Sequence, residues 1–303
     1  MKAVIPVAGL GTRLLPATKV IPKEMLPIVD KPIIQYIVEE IAHAGITEII
    51  LVTHSSKNAI ENHFDVHFEL ETTLEKRLKR TLLETLQQIT PKHVKIIQIR
   101  QGQALGLGHA ILAAHPVVGD DDVMVVLPDM LLETEGHANT NPNLKKMYEA
   151  YQTSGESQIL VHPVPKEDVV KFGVIDFTEH KPNFAAGDEA KVNALVEKPA
   201  MHEAPSHFAI TGRYILHRSI WNFLQQTPIG AQNEIQLTDA LALMLKAGYA
   251  LNAHHLKGIM HDCGQKLGYM QANMAYAMRH PEIGPSMRHF LNAYQVSDKV
   301  THS

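Results

Sequence analysis

One cysteine in 303 residues, Cys263, excludes an internal disulfide framework and fits a reducing compartment. Neither charge dominates: 28 lysines and arginines oppose 32 aspartates and glutamates, for a net charge of −4. A nucleic-acid partner that depends on a basic surface is therefore not expected. Long apolar runs are missing too. None reaches the roughly 18 residues of a membrane-spanning helix, so no membrane partner is expected either. The opening MKAVIPVAGLGTRLLP has one lysine before a short apolar run that glycines and Arg13 interrupt at once. A secretory h-region is longer and ends in small residues, and the expectation is a cytoplasmic protein. Internal repeats and low-complexity segments are absent. What the chain does have is 45% hydrophobic residues at low net charge, enough apolar surface to fold rather than stay disordered.

Short apolar runs alternate with segments of helical period. Residues 3–8 (AVIPVA), 48–53 (EIILVT), 94–99 (VKIIQI) and 123–128 (VMVVLP) read as strands covered on both faces. Between the first two, Ile33, Ile34, Ile37, Val38 and Ile41 recur at helical spacing, and Gly45 stands where a helix stops. Residues 67–89 read as one charged amphipathic helix, and 104–115 as another entered through a glycine-rich turn. Strand–helix alternation argues a parallel, doubly wound α/β sheet. After Gly155 the strands 157–164, 173–177, 192–197 and 209–216 crowd together, and helices return at 217–226, 237–247, 264–279 and 284–294. Residues 134–143 and 178–190 are polar loops. The expected fold is Rossmann-like α/β: a mixed, mostly parallel sheet flanked by helices, with a β-rich insertion and C-terminal helices.

The stretch GLGTRLLPATKVIPKEMLPIVDKP, residues 9–32, follows the first strand at its carboxyl end, where open α/β sheets bind ligands. Gly9 and Gly11 let the backbone approach a phosphate with its amides, Thr12 adds a hydroxyl, and Arg13 and Lys23 add positive charge. From 13 to 31, Arg13, Lys19, Lys23 and Lys31 outnumber Glu24 and Asp30 by two, as a polyanionic substrate requires. A dinucleotide fingerprint fails because position 14 is leucine, and a P-loop fails because no Gly-Lys-Ser/Thr closes the loop. Prolines 16, 22, 27 and 32 prevent a long helix, so an extended loop wrapping the site is expected. Asp129 ends an apolar strand, where packing explains a carboxylate poorly.

In order along the chain, this loop is followed by VTHSSKNAIENHF (52–64), RQGQALGLGHA (100–110), LPD (127–129), VEKP (196–199), GRYIL (212–216), EIQLTDA (234–240) and HDCGQKLGYMQA (261–272). Together these resemble the sugar-nucleotidyltransferases, and ATKVIPKEMLP is similar to their bacterial UTP–glucose-1-phosphate uridylyltransferase branch. The resemblance implies one nucleotidyltransferase domain over 1–303. Residues 1–155 would mainly bind nucleotide, 156–260 would mainly bind sugar, and 261–303 would carry a metal aspartate and helices for an oligomer contact. It implies transfer of UMP from UTP to glucose 1-phosphate, giving UDP-glucose and pyrophosphate, by in-line attack without a covalent enzyme intermediate. Several negative charges meet in such a reaction, so a Mg²⁺ cofactor and basic side chains are required.

Residue by residue, the resemblance implies that Asp129 and Asp262 hold Mg²⁺ and that Arg13 and Lys23 stabilise the triphosphate and leaving pyrophosphate. Lys198 would contact the sugar phosphate and Glu197 the sugar hydroxyls, with Gly173 and Gly212 lining that pocket. Ala8, Gly9, Glu24, Gln101 and Gly106, with Gly11 and Thr12, would bind the nucleotide. The thymidylyltransferase branch has Gln-Leu-Leu-Pro where this chain has Glu24-Met25-Leu26-Pro27, which favours uracil. A homo-oligomer, dimer or tetramer, is a further implication, with the methionine-rich stretch 270–287 as candidate contact. Competing readings are a different base or sugar preference, and a non-catalytic nucleotide-sugar binder. The nineteen histidines form no His-Glu-x-x-His helix and lack cysteine partners, so a zinc site is not expected.

Overall fold

The computed structural model describes residues 1–134, 141–178, 183–230 and 233–300, the last six as backbone alone. The amino-terminal half runs β1 (Lys2–Pro6), β2 (Pro27–Ile28), β3 (Lys31–Pro32), α1 (Ile33–His43), β4 (Glu48–Thr53), α2 (Asn58–Phe64), α3 (Phe68–Lys76), α4 (Arg80–Gln87) and β5 (Lys95–Arg100). It continues through α5 (Leu107–Ala113), α6 (His115–Val118), β6 (Val123–Val126), β7 (Met130–Glu133) and α7 (Pro142–Ser154). The second half runs β8 (Ser157–Pro163), β9 (Gly173–Phe177), β10 (Glu189–Glu197), β11 (Phe208–Leu216), α8 (Ile220–Gln226), α9 (Leu237–Lys246), β12 (Leu251–His255), β13 (Ile259–Asp262), α10 (Lys266–Arg279) and α11 (Gly284–Val300).

Nine of these strands form one sheet in the order β5-β4-β1-β6-β11-β8-β12-β10-β9, so both halves share it. β5, β4, β1 and β6 are mutually parallel, and β4, β5 and β6 are each reached by a helical crossover. β11 and β10 run against their neighbours, which makes the sheet mixed. The period-2 alternation of side chains divides the core in two. Ala3, Ile5, Ile49, Leu51, Met124 and Val126 pack under α1 on one face. Val4, Ile50, Val52, Val123 and Val125 pack under α5, α8 and α9 on the other. Burying each such Val or Ile side chain contributes about 1.5–3 kcal/mol, so taking both faces out of water under helices stabilises the sheet.

Two expectations are corrected. β5 is not covered on both faces: it is the sheet's edge, and Lys95, Gln98 and Arg100 are exposed. The single helix expected over 67–89 is two helices, α3 and α4, packed on each other. The break falls at Leu78, whose φ of 55° is left-handed, inside the run Lys76-Arg77-Leu78-Lys79-Arg80. Four cations would crowd a continuous helix there, whereas at the end of α3 the first of them meet the negative helix terminus favourably. Periodicity sees no glycine or proline at that point and runs on. Of the two polar loops, 135–140 and 179–182 lie outside the described residues, and Glu189 and Ala190 begin β10. No helix among the described residues is long and apolar enough to cross a membrane.

Candidate active site

Between β1 and α1 the chain does not run as an extended loop. It makes three 3₁₀ turns, Thr12–Leu14, Ala17–Lys19 and Lys23–Met25, and closes with the short β2–β3 pair. Prolines 16 and 22 precede the second and third turns, which their fixed φ favours. The Thr18 hydroxyl donates to Gly11 O at 2.7 Å and ties the first turn to the second. These turns bring Arg13 and Lys23 over the carboxyl ends of β1 and β6.

There they meet both aspartates. Lys23 Nζ lies 2.6 Å from Asp129 Oδ2, and the Arg13 guanidinium lies 3.8 Å from Asp129 and 3.4 Å from Asp262. The aspartates are neighbours through a two-stranded ladder, in which β13 pairs antiparallel with β7 and Asp262 stands opposite Met130. Cys263 N donates to Asp129 O at 2.8 Å and extends the ladder by one bond. Both carboxylates crowd Gly264: a Cβ there would stand 2.8 Å from Asp129 Oδ2, 2.9 Å from Asp262 Oδ1 and 2.6 Å from Arg13. A glycine there lets the three side chains converge without displacement. Burial opposes ionisation of Asp129, but Lys23 and Arg13 outweigh it and hold its carboxyl below the ordinary value. Burial, then the charge of Asp129, pushes Asp262 up. Burial alone would lower Lys23, yet Asp129 and Glu24 raise it.

Two cavities meet at Asp129, Leu107 and Leu127. One, of about 290 Å³, gathers Ala8, Gly9, Lys23, Glu24, Gln101, Gly106 and Asp129. The other, of about 220 Å³, gathers Arg13, Asp129, Gly173, Glu197, Gly212 and Asp262. Gly11, Thr12 and Lys198 border neither; Lys198 Nζ lies 3.8 Å from Glu197 at the rim of the second. In the first cavity Glu24 is 1% exposed, and its Oε2 accepts from Lys57 Nζ at 2.9 Å while Oε1 has no partner. Burial raises the Glu24 carboxyl and Lys57 opposes that rise. The Gln101 amide donates toward Gly106 O at 3.3 Å and His109 Nδ1 at 2.9 Å, which orients it. Gly106 has φ 93°, and a Cβ on it would strike Glu234 at 2.6 Å. The segment from Glu234 to Thr238 touches both cavities, Glu234 in the first and Gln236, Leu237 and Thr238 in the second.

Lys57 and Gly264 escaped the sequence reading as site residues, although both stand in quoted motifs. A glycine two residues after Asp262 was a visible signal. Lys57 lies 33 residues from Glu24, so no local spacing could pair them. Cys263 is fully buried. Among the described residues no group of three or more histidines, cysteines or carboxylates gathers as a metal cage. Asp129 and Asp262 alone offer two hard oxygen donors on a common open point, the sparse carboxylate set that suits Mg²⁺ sharing its other positions with water and phosphate.

The family model described as Nucleotidyl transferase matches residues 2–279. The chain belongs to that family. Over 290 residues it is 55% identical to the UTP–glucose-1-phosphate uridylyltransferase of Escherichia coli K12, with 96% of this chain and 94% of that one covered. It resembles the UTP-bound UGPase of Acinetobacter baumannii at 46% identity and a TM-score of 0.87, covering 96% of this chain and 98% of that one. A UDP-glucose pyrophosphorylase complexed with UDP-glucose is similar at 38% identity and a TM-score of 0.79, covering 92% and 99%.

Proposed function

We propose that this chain transfers the uridylyl group of UTP to α-D-glucose 1-phosphate, yielding UDP-glucose and pyrophosphate. The observation that carries the reading is the meeting of the two cavities at Asp129, with Lys23 bordering one and Arg13 the other. Relatives named for this reaction, one of them UTP-bound and one holding UDP-glucose, support it.

In this reading the base lies against Ala8, Gly9, Glu24, Gln101 and Gly106. Glu24 Oε1 accepts the base N3–H. The amides of Gly9, Gly11 and Thr12 face the phosphates. The sugar lies against Gly173, Glu197 and Gly212, with Glu197 accepting its hydroxyls and Lys198 turning from Glu197 to the sugar phosphate. An oxygen of that phosphate attacks the α-phosphorus of UTP as the bond to pyrophosphate breaks on the opposite side. No side chain forms a covalent bond; catalysis is orientation and charge neutralisation. Lys23 and Arg13 hold the negative charge that gathers on the leaving oxygens. Asp129 and Asp262 would hold Mg²⁺, which supplies Lewis-acid neutralisation of the phosphates when bound.

The reading extends to a cytoplasmic homo-oligomer, dimer or tetramer. Leu267, Met270, Met274, Phe290 and Tyr294 on α10 and α11 are exposed apolar side chains, as a subunit contact requires. Light scattering of the parent and Phe290→Asp checks this: the variant is expected at lower mass, and an unchanged mass removes that face. The reaction itself is tested by pyrophosphate release with Mg²⁺ and glucose 1-phosphate, comparing UTP, dTTP and ATP. Fast release with UTP alone is expected. Equal release with dTTP withdraws the preference for uracil but not the N3–H contact of Glu24, which thymine shares, and no release from protein that binds UDP-glucose sinks the reading.

A further inference from the structure

Arg213 stands in the middle of β11 and is 0% exposed. Every N–H of its guanidinium is engaged. Nε and Nη2 donate to the two carboxylate oxygens of Glu40 on α1 at 2.9 and 2.8 Å. Nη2 also donates to Met130 O at 2.7 Å, and Nη1 to Leu127 O at 3.2 Å and Gly212 O at 3.4 Å. Five donors thus make five bonds, the full capacity of the group.

The partners have one thing in common. Leu127 and Met130 flank Pro128 and Asp129, so a single planar fork grips the turn that carries Asp129 at both its ends. Glu40 belongs to α1, which begins directly after the 9–32 loop bearing Arg13 and Lys23, and Gly212 lines the sugar-side cavity. Stability alone does not account for the group, because apolar side chains of similar volume replace a buried ion pair at little or no loss. Geometry does account for it. A lysine has a point charge on a flexible stem and cannot reach both carbonyls and the carboxylate together.

We propose that Arg213, oriented by Glu40, is a positioning residue that sets the place of Asp129 at the junction of the two cavities. The proposal rests on the reading of Asp129 as a metal ligand, and its test separates the two. Direct binding of Mn²⁺ in the presence of UTP, melting temperature and steady-state kinetics are measured on four proteins: Arg213→Met, the double variant Arg213→Met with Glu40→Leu, Arg213→Lys, and Asp129→Asn as reference.

Arg213→Met alone should melt well below the parent, since Glu40 is left buried without its counter-charge. The double variant should regain the melting temperature yet bind Mn²⁺ about 10- to 100-fold more weakly, with kcat reduced by a similar factor. KM for UTP should stay within about twofold, because a group that sets only Asp129 leaves the base contacts alone. A double variant with parental melting, Mn²⁺ affinity and kcat overturns the proposal. Should the double variant fail to fold, Arg213→Lys decides: parental kcat and Mn²⁺ affinity there overturn it equally. If Asp129→Asn keeps full Mn²⁺ affinity, the metal reading falls by itself, and the positioning role stands or falls on the kcat of the Arg213 variants.

Discussion

The two cavities that meet at Asp129 are built by opposite means. The one bordered by Glu24 is fixed before any ligand arrives: Glu24 and Lys57 are a buried pair at 2.9 Å, and Gln101 is held by His109 and a backbone carbonyl. The one bordered by Glu197 has a weaker ion pair at its rim, with Glu197 and Lys198 3.8 Å apart and Lys198 half-exposed. A fixed acceptor can refuse a base whose edge presents another acceptor, because an unmatched buried group is costly. Exposed side chains that must move to their ligand discriminate less and adapt more. Selectivity should therefore be strict on the nucleotide side and broader on the sugar side.

The largest effect should come from the point the cavities share. Asp129→Asn is expected to lower kcat by on the order of 10² to 10³-fold while the protein stays folded, read by pyrophosphate release and circular dichroism. Near-parental turnover would remove Asp129 from the mechanism. Next, Lys57→Met should leave Glu24 buried without its hydrogen-bonded counter-charge, with only the more distant Lys23 facing it, and lower unfolding free energy by about 3–5 kcal/mol in urea titrations. Glu197→Gln should do the reverse, changing stability by less than about 0.5 kcal/mol while raising KM for glucose 1-phosphate roughly tenfold. If both variants behave alike, the contrast between a fixed and an adaptive cavity is wrong.

The smallest effect serves as a control outside both cavities. Burial pushes His254 on β12 down to about 4, with Glu189 opposing and Lys146 adding to the drop. Its Nε2 pairs with Gln158 Oε1 at 2.7 Å. The folded state therefore binds fewer protons than the unfolded chain, whose histidine titrates at its ordinary 6.5. Its contribution to stability is full above pH 6.5 and is lost as pH falls toward 4. His254→Gln should flatten that part of the urea-midpoint profile without touching either KM; an unaltered slope would show that His254 is not the titrating group.

Much of this was legible in the residues and some was not, for physical reasons. The strands at 48–53 and 209–216 were readable because burial on both faces leaves a mostly apolar run. The helices α2 and α7 and the short strands β2, β3, β7, β12 and β13 were not singled out, since polar or very short segments carry little periodicity. α7 nonetheless had its signals: Asn141 caps it by accepting from Asn143 N, Pro142 opens it and Gly155 ends it in left-handed conformation. At the site, Arg13, Lys23, Asp129 and Asp262 were readable because their motifs are contiguous. Lys57 and Glu40 were not, because their partners Glu24 and Arg213 are 33 and 173 residues away. Arg213 itself did leave a trace, a full charge inside the apolar run AITGRYIL.

The β7–β13 ladder has a last consequence. The two aspartates stand at one end of a pair of strands four residues long, and their separation is set by which residue faces which. Strand pairing shifts only in whole residues, and a shift of one turns every side chain to the opposite face. The backbone register between the aspartates is thus a digital quantity that changes by whole residues or not at all, which leaves the fine placement of the Asp129 carboxylate to its side-chain contacts and to the grip of Arg213 on its turn.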